Sequence, residues 1–176
     1  EEITSVEINE TNFPDAIFRE YVKENFDTDG DGVLSAEEIT AVTEIDVHNK
    51  GISDLTGIEY FENLECLDCS LNKLTTLDLN NNTALIELNC ELNQLTSLDV
   101  SSNTALLHLS CHSNQLTSLD ISSNTALIDL ECGENRLTSL DVSNNTALEW
   151  LMCYDNQLTS LDVSNNTALT ELDCGK

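Results

Sequence analysis

Basic residues are scarce in this chain. Six Lys and Arg stand against 33 Asp and Glu in 176 residues, giving a formal net charge of -27. Binding to DNA or RNA rests on Lys and Arg meeting phosphates, so this balance excludes a nucleic-acid partner. The same imbalance opposes attachment to an anionic membrane surface. No apolar run is long enough to span a bilayer. No leader precedes Glu1, but a processed or trimmed chain starts the same way, and that absence excludes nothing. Catalytic signatures are missing as well: there is no Ser-His-Asp arrangement, no Gly-rich phosphate loop and no H-E-x-x-H. With 33 acids present, two neighbouring carboxylates carry no catalytic meaning. An enzyme is not expected.

What the chain has instead is a repeat. Residues 64–84 recur without insertion at 85–105, 106–126, 127–147 and 148–168, and a partial copy runs from 169 to 176. The period is 21 and the frame is L-x-x-L-x-C-x-x-N-x-L-x-x-L-D-[VIL]-x-x-N-T-A. Repeats of this length form a solenoid, in which each unit buries its apolar face only against its neighbours. In 127–147, Leu130 and Cys132 alternate with Asp129, Glu131 and Gly133, a period of two that predicts a short strand with one dry face. Leu137 and Leu140 then turn the chain through the interior, and Leu140-Asp141-Val142 begins a second extended segment. Two asparagine ladders follow from the frame, one through Asn72, Asn93, Asn114, Asn135 and Asn156, the other through Asn82, Asn103, Asn124, Asn145 and Asn166. A buried turn leaves backbone groups without partners, and an amide supplies both a donor and an acceptor.

This frame resembles the leucine-rich repeat, in the short bacterial form of internalin-like surface proteins, over residues 42–176. The resemblance implies an α/β repeat fold: a leucine-rich-repeat solenoid with a parallel sheet, behind a small helical cap. It also implies a secreted or cell-surface bacterial protein that binds a partner protein, or a glycan, on its strand face. The other reading is a rigid spacer presenting a further domain beyond residue 176. The domain plan is a cap at 1–41, a degenerate repeat at 42–63, five full repeats at 64–168 and the partial repeat at 169–176.

Six of the seven cysteines occupy one repeat position: Cys69, Cys90, Cys111, Cys132, Cys153 and Cys174. In-register strands about 4.8 Å apart would stack them as an inward ladder. Each is read as a small hydrophobe, because a thiolate in a dry core is costly and parallel side chains suit disulfide geometry poorly. Cys66 and Cys69 spell CxxC, but on a strand they face opposite sides, which leaves Cys66 as an exposed thiol. It should react fast in the native protein and the other six only after unfolding.

In the cap, Val6 and Ile8 alternate with polar residues, predicting a strand at 5–8 that covers the open edge of the first repeat. Pro14, the single proline, suits a helix start, and Phe13, Ile17, Phe18, Tyr21, Val22 and Phe26 recur at helical spacing over 14–26. Residues 27–38, D-T-D-G-D-G-V-L-S-A-E-E, match the twelve-residue EF-hand loop. Asp27, Asp29 and Asp31 fall at positions 1, 3 and 5, the Val33 carbonyl at 7, Ser35 at 9 and Glu38 at 12. The expected cofactor is one structural Ca²⁺, since four carboxylates in so short a loop repel one another without a cation. Ser35 and Glu38 also form a capping box for a helix at about 36–43.

The outward residues of the strands form a mostly acidic face with one exception. Trp150, Met152 and Tyr154 project side by side from repeat five, with Gly133 and Gly175 leaving Tyr154 unshielded, and they are the expected partner contact. His108, between Glu87 and Asp129, reads as charge relief more than as a zinc ligand, and His112 lies roughly 13 Å farther along the strand. The far end carries no cap. The chain is expected to be a monomer, to continue past residue 176 with more repeats or another domain, and otherwise to risk edge-strand association there.

Overall fold

The computed structural model describes residues 5–175, in the order β1 (Ser5–Glu7), α1 (Ala16–Phe26), β2 (Val33–Ser35), α2 (Ala36–Ala41), then seven strands. These are β3 (Glu44–Asp46), β4 (Cys66–Asp68), β5 (Glu87–Asn89), β6 (His108–Ser110), β7 (Asp129–Glu131), β8 (Trp150–Met152) and β9 (Glu171–Asp173). They lie side by side in chain order as one parallel sheet. Each pairs with the strand one repeat on, Leu88 with Leu109 and Leu109 with Leu130, so the 21-residue period is also the register. Across the degenerate first coil the step is 22, Ile45 opposite Leu67. Every coil sends the same leucines inward, and Leu67, Leu88, Leu109, Leu130 and Leu151 line one side of a continuous core.

The cysteine ladder is present in its first five rungs. Cys69, Cys90, Cys111, Cys132 and Cys153 are buried and reduced. Burial pushes their thiols well above the ordinary range, with neighbouring thiols and acids adding to the effect; for Cys153, next to the last coil, the value rises to about 11. Cys174 departs from the expectation. It is exposed, because no following coil among the described residues closes over β9, and Leu172 beside it is 42% exposed for the same reason. Cys66 is half-buried, and burial followed by Glu87, Glu44 and Glu65 pushes its thiol upward. Since the thiolate is the reactive form, native protein titrated with a thiol reagent should modify Cys174 fast and Cys66 slowly. The other five should react only in denaturant, and fast labelling of any buried rung, read by mass spectrometry, contradicts the ladder.

The two asparagine ladders differ. Asn114 Nδ2 donates to the carbonyls of Cys90, Cys111 and His112, while its Oδ1 accepts from Leu95 N at 3.0 Å. Both ends of that amide are used. Asn124 Nδ2 donates to the carbonyls of Val100 and Asn103, both at 2.9 Å, but its Oδ1 is buried without a protein partner. The same holds for Asn82, Asn103, Asn145 and Asn166, so the second ladder satisfies carbonyls only.

The third residue after each of β3–β8 takes a left-handed backbone: Asn49, Leu71, Leu92, Ser113, Glu134 and Asp155, with φ between 48 and 56°. Left-handed backbone costs a non-glycine residue roughly 1–2 kcal/mol. The stack enforces it, since the N–H of Leu71 donates to Glu91 O and that of Leu92 to His112 O in the next coil.

The cap is built differently from the expectation. β1 pairs antiparallel with β2, Val6 opposite Leu34, both buried, and not with β3, the first strand of the solenoid sheet. The reason lies in the loop: residues 33–35 leave it extended, with an apolar residue opposite Val6, and so offer β1 an edge with a matching dry face. The first coil is covered instead by α1. Asp15 caps that helix, accepting from Ile17 N and Phe18 N through Oδ1, and holds the first coil through Oδ2, which accepts from Ser53 N and Oγ. Phe13, Phe18 and Phe61 are fully buried between cap and coil. Tyr21 Oη accepts from Asp46 N at 3.3 Å, satisfying part of the β3 edge.

Candidate functional site

Two places concentrate functional chemistry. The first is the loop between α1 and α2. Gly30 and Gly32 hold φ of 74 and 84°, which lets the backbone curl inward. Asp27 accepts from Gly30 N and Gly32 N, Asp29 from Asp31 N, and Glu38 from Thr28 N and Oγ1, both at 2.6 Å. The other Glu38 oxygen accepts from Ser35 N and Oγ, and Ser35 Oγ in turn accepts from Glu38 N, which completes the capping box. These bonds, the Thr28 hydroxyl first, hold the Glu38 carboxyl down at about 2. Carboxylate oxygens of Asp27, Asp29 and Glu38 lie within 4.8 Å of one another. Among the described residues no Lys or Arg forms an ion pair with them. Asp31 stands outside this group, its Oδ1 accepting from Val33 N at 2.8 Å. Of the residues expected from the motif, three therefore converge, while Asp31, Val33 and Ser35 shape the loop. Hard, anionic oxygens without a counter-cation suit a calcium-sized ion in their chemistry.

The second place is the outer face of the sheet. Trp150 is 43% exposed on β8, while Met152 and Tyr154 are half-buried. Tyr154 is less free than the sequence implies. Its ring lies over Gly133 of the preceding coil, where a Cβ would sit 2.8 Å from Tyr154 Cε1. Gly133 is thus the floor under the ring. Partial burial, then Glu134, Glu131, Asp155 and Asp173, raise the phenol above its usual range.

All three histidines of the chain lie on this face, and each meets a carboxylate. His48 Nδ1 is 3.0 Å from Asp46 Oδ1, His108 Nδ1 is 2.6 Å from Asp129 Oδ2, and His112 Nε2 is 2.6 Å from Glu91 Oε2. Asp46 is held below the usual carboxylate range by the His48 backbone N–H first and the His48 ring second. The His112–Glu91 pair follows from the repeat, since both residues hold the seventh position on adjacent coils. Between β5 and β7 the face dips into a shallow cavity of 290 Å³ lined by Glu87, Glu91, His108, Asp129 and Glu131, among others.

The fold defined by these coils is a leucine-rich-repeat solenoid of the kind seen in internalins, with an unbroken parallel sheet. In sequence the chain is similar to internalin J of Listeria monocytogenes (strain F2365), 45% identical over 71 residues, which are 40% of this chain and 8% of that protein. Among solved structures it is similar to the functional domain of InlJ from Listeria monocytogenes, described as including a cysteine ladder, at 33% identity and a TM-score of 0.68. That match covers all of this chain and 49% of the other. A second is the internalin inlF of Listeria monocytogenes strain F2365, at 26% identity and a TM-score of 0.86, covering 97% of this chain and 53% of that one. No protein-family model matches the chain. Among the described residues no helix is long and apolar enough to cross a membrane.

Proposed function

We propose that the chain is a recognition module of a secreted or cell-surface bacterial protein. It grips an extracellular protein on its strand face around β8 and carries one structural calcium ion in its cap. The observation that carries the recognition reading is Trp150, an exposed indole on a sheet whose other outward residues are largely acidic. Large aromatic side chains left in water are costly unless a partner covers them, and they dominate binding energy when covered. Likeness to internalins supports a surface location and a protein partner by analogy of fold and sequence.

The test is binding of a partner isolated with the intact parent protein. Trp150→Ala should weaken it about 30-fold, or ~2 kcal/mol, and leave the melting temperature unchanged, since the side chain stands outside the core. A partner that tolerates both Trp150→Ala and Tyr154→Ala, yet is lost on changes at Glu87 or Glu91, moves the site to the acidic half. A rigid spacer would show no partner dependent on this face at all.

For calcium, Asp27, Asp29 and Glu38 would hold the ion, with Asp31, the Val33 carbonyl and Ser35 completing the motif. Bound there, it would neutralise the carboxylates and tie the end of α1 to the start of α2. Extracellular modules of this type bind at roughly 0.1–1 mM. Saturating calcium should raise the melting temperature of the cap and chelation should lower it, because only the folded loop binds. Unchanged melting and unchanged calorimetric uptake in Asp27→Ala and Glu38→Gln would sink the assignment.

A further inference from the structure

We propose that the partner presents an extended basic segment to this face, in which an apolar side chain over β8 is followed at alternate positions by two basic side chains seated between β7 and β5. This rests on the strand face being the partner surface and adds the chemistry of what binds there.

The argument starts from charge. The dip between β5 and β7 is lined by Glu87, Glu91, Asp129 and Glu131, and two of these carboxylates already meet an imidazole, Asp129 that of His108 and Glu91 that of His112. No Lys or Arg of the described residues neutralises these acids from within. Among the described residues the one ion pair made by a Lys or Arg is Arg19–Glu10, on the cap. Carboxylates only accept hydrogen bonds, so an occupant must bring donors, and donors carrying positive charge suit these acids best. An anionic glycan is repelled, and so is a second copy of a chain with net charge -27.

The second observation is adjacency. Asp129 lies in register with Trp150, and Glu131 with Met152, so the apolar strip begins one strand from the acidic dip. Neighbouring strands are about 4.8 Å apart, which places β8 roughly 14 Å from β5. Alternate residues of an extended peptide share a side and advance about 6.8 Å. A segment crossing the sheet with the spacing apolar-x-Arg-x-Arg therefore sets its apolar group on Trp150, its first guanidinium near Asp129 and Glu131, and its second near Glu87 and Glu91. A planar guanidinium can meet a carboxylate through two hydrogen bonds, so Arg suits these positions better than Lys.

The probe is a pair of short synthetic peptides of identical composition. One carries Trp-x-Arg-x-Arg, and the other has its two Arg adjacent and moved away from the Trp. Calorimetric titration near 0.15 M salt should show the spaced peptide binding at least tenfold tighter. The preference should vanish in the double variant Glu87→Gln with Glu131→Gln, whose unchanged melting temperature verifies the fold, and shrink in Trp150→Ala. Equal binding of the two peptides, or no binding of either, overturns the proposal, since only diffuse attraction to an acidic protein would remain. A preference lost in Trp150→Ala but kept in the Gln variant also overturns it, while leaving the strand face as partner surface. A preference indifferent to all three substitutions removes both readings.

Discussion

Gly57→Ala should undock the cap from the solenoid. Gly57 holds φ at +106°, beyond the left-handed region that Asn or Asp tolerate, just before the 3-10 turn Ile58–Tyr60. A Cβ there would lie 2.3 Å from Phe13 Cδ1 and 2.7 Å from the backbone oxygen of Asn12. Phe13 has nowhere to go. It is fully buried, with Phe18 at 5.9 Å and Tyr60 at 5.8 Å between ring centroids. Backbone strain of roughly 1–2 kcal/mol and overpacking of about 1–3 kcal/mol add to a loss of ~2–5 kcal/mol. Hydrogen exchange should show α1 and β1 opening while the coils beyond β5 stay protected. Gly51→Ala is the comparison: φ is +78°, but the nearest atom is Lys73 Nζ at 3.8 Å, a flexible tip, so only the strain of about 1 kcal/mol remains. If the two variants unfold at the same urea concentration, the wedge role of Phe13 is refuted.

Asn114→Ala should be the most damaging truncation in the middle of the solenoid, and it should exceed Asn124→Ala. Losing Asn114 leaves the carbonyls of Cys90, Cys111 and His112 without that amide, and strips Leu95 N of its acceptor. Each buried polar group left unpaired costs about 1–3 kcal/mol, so even two orphaned groups bring the loss to ~4 kcal/mol. Losing Asn124 frees two carbonyls but also removes an oxygen that had no partner, which lowers the net cost to about 2–3 kcal/mol. Because coils interact only with neighbours, the damage should appear as local exchange around coil 106–126 before global unfolding. Urea denaturation that ranks Asn124→Ala as the worse variant would mean that donors such as ordered water satisfy the Oδ1 atoms of the second ladder.

Much of this architecture is legible in the chain. The 21-residue period sets the strand register, because a one-residue slip would turn Leu88 or Leu109 outward and Glu87 or His108 inward. The five inner cysteines follow from the same alternation, and the capping box of Ser35 and Glu38 from its spacing. What escapes is whatever depends on a partner not encoded nearby. Cys174 shares the ladder position but has no next coil among the described residues, so position in the frame is not burial. Val6 alternates properly for a strand, yet alternation does not choose between the edge of β3 and the edge of β2. The left-handed turn after each strand leaves no compositional trace: Leu71, Leu92, Ser113 and Glu134 share only the backbone bond to the next coil that holds them there. At the candidate site, Asp31 satisfies the motif but spends its carboxylate on Val33 N. The acidic-aromatic contrast of the strand face was readable from the repeat rows alone, whereas the tilt of Tyr154 over Gly133 was not.

The hydrogen bonds that join the coils have one more property. Asn93, Asn114 and Asn135 each reach back 24 residues to a cysteine carbonyl, and Leu107 N and Ile128 N each reach back 21. None of these ladder bonds marks an internal coil as third or fourth. Deleting 106–126 would therefore bring 127–147 against 85–105 with the asparagine ladder and the backbone bonds between coils re-formed, though the surface pairs of His108 and His112 would go. For a gene, the number of coils is then a quantity that can grow or shrink by recombination between copies without a folding penalty at the junction. What does change is the spacing between the cap and the aromatic strip on β8, so selection can adjust reach independently of grip.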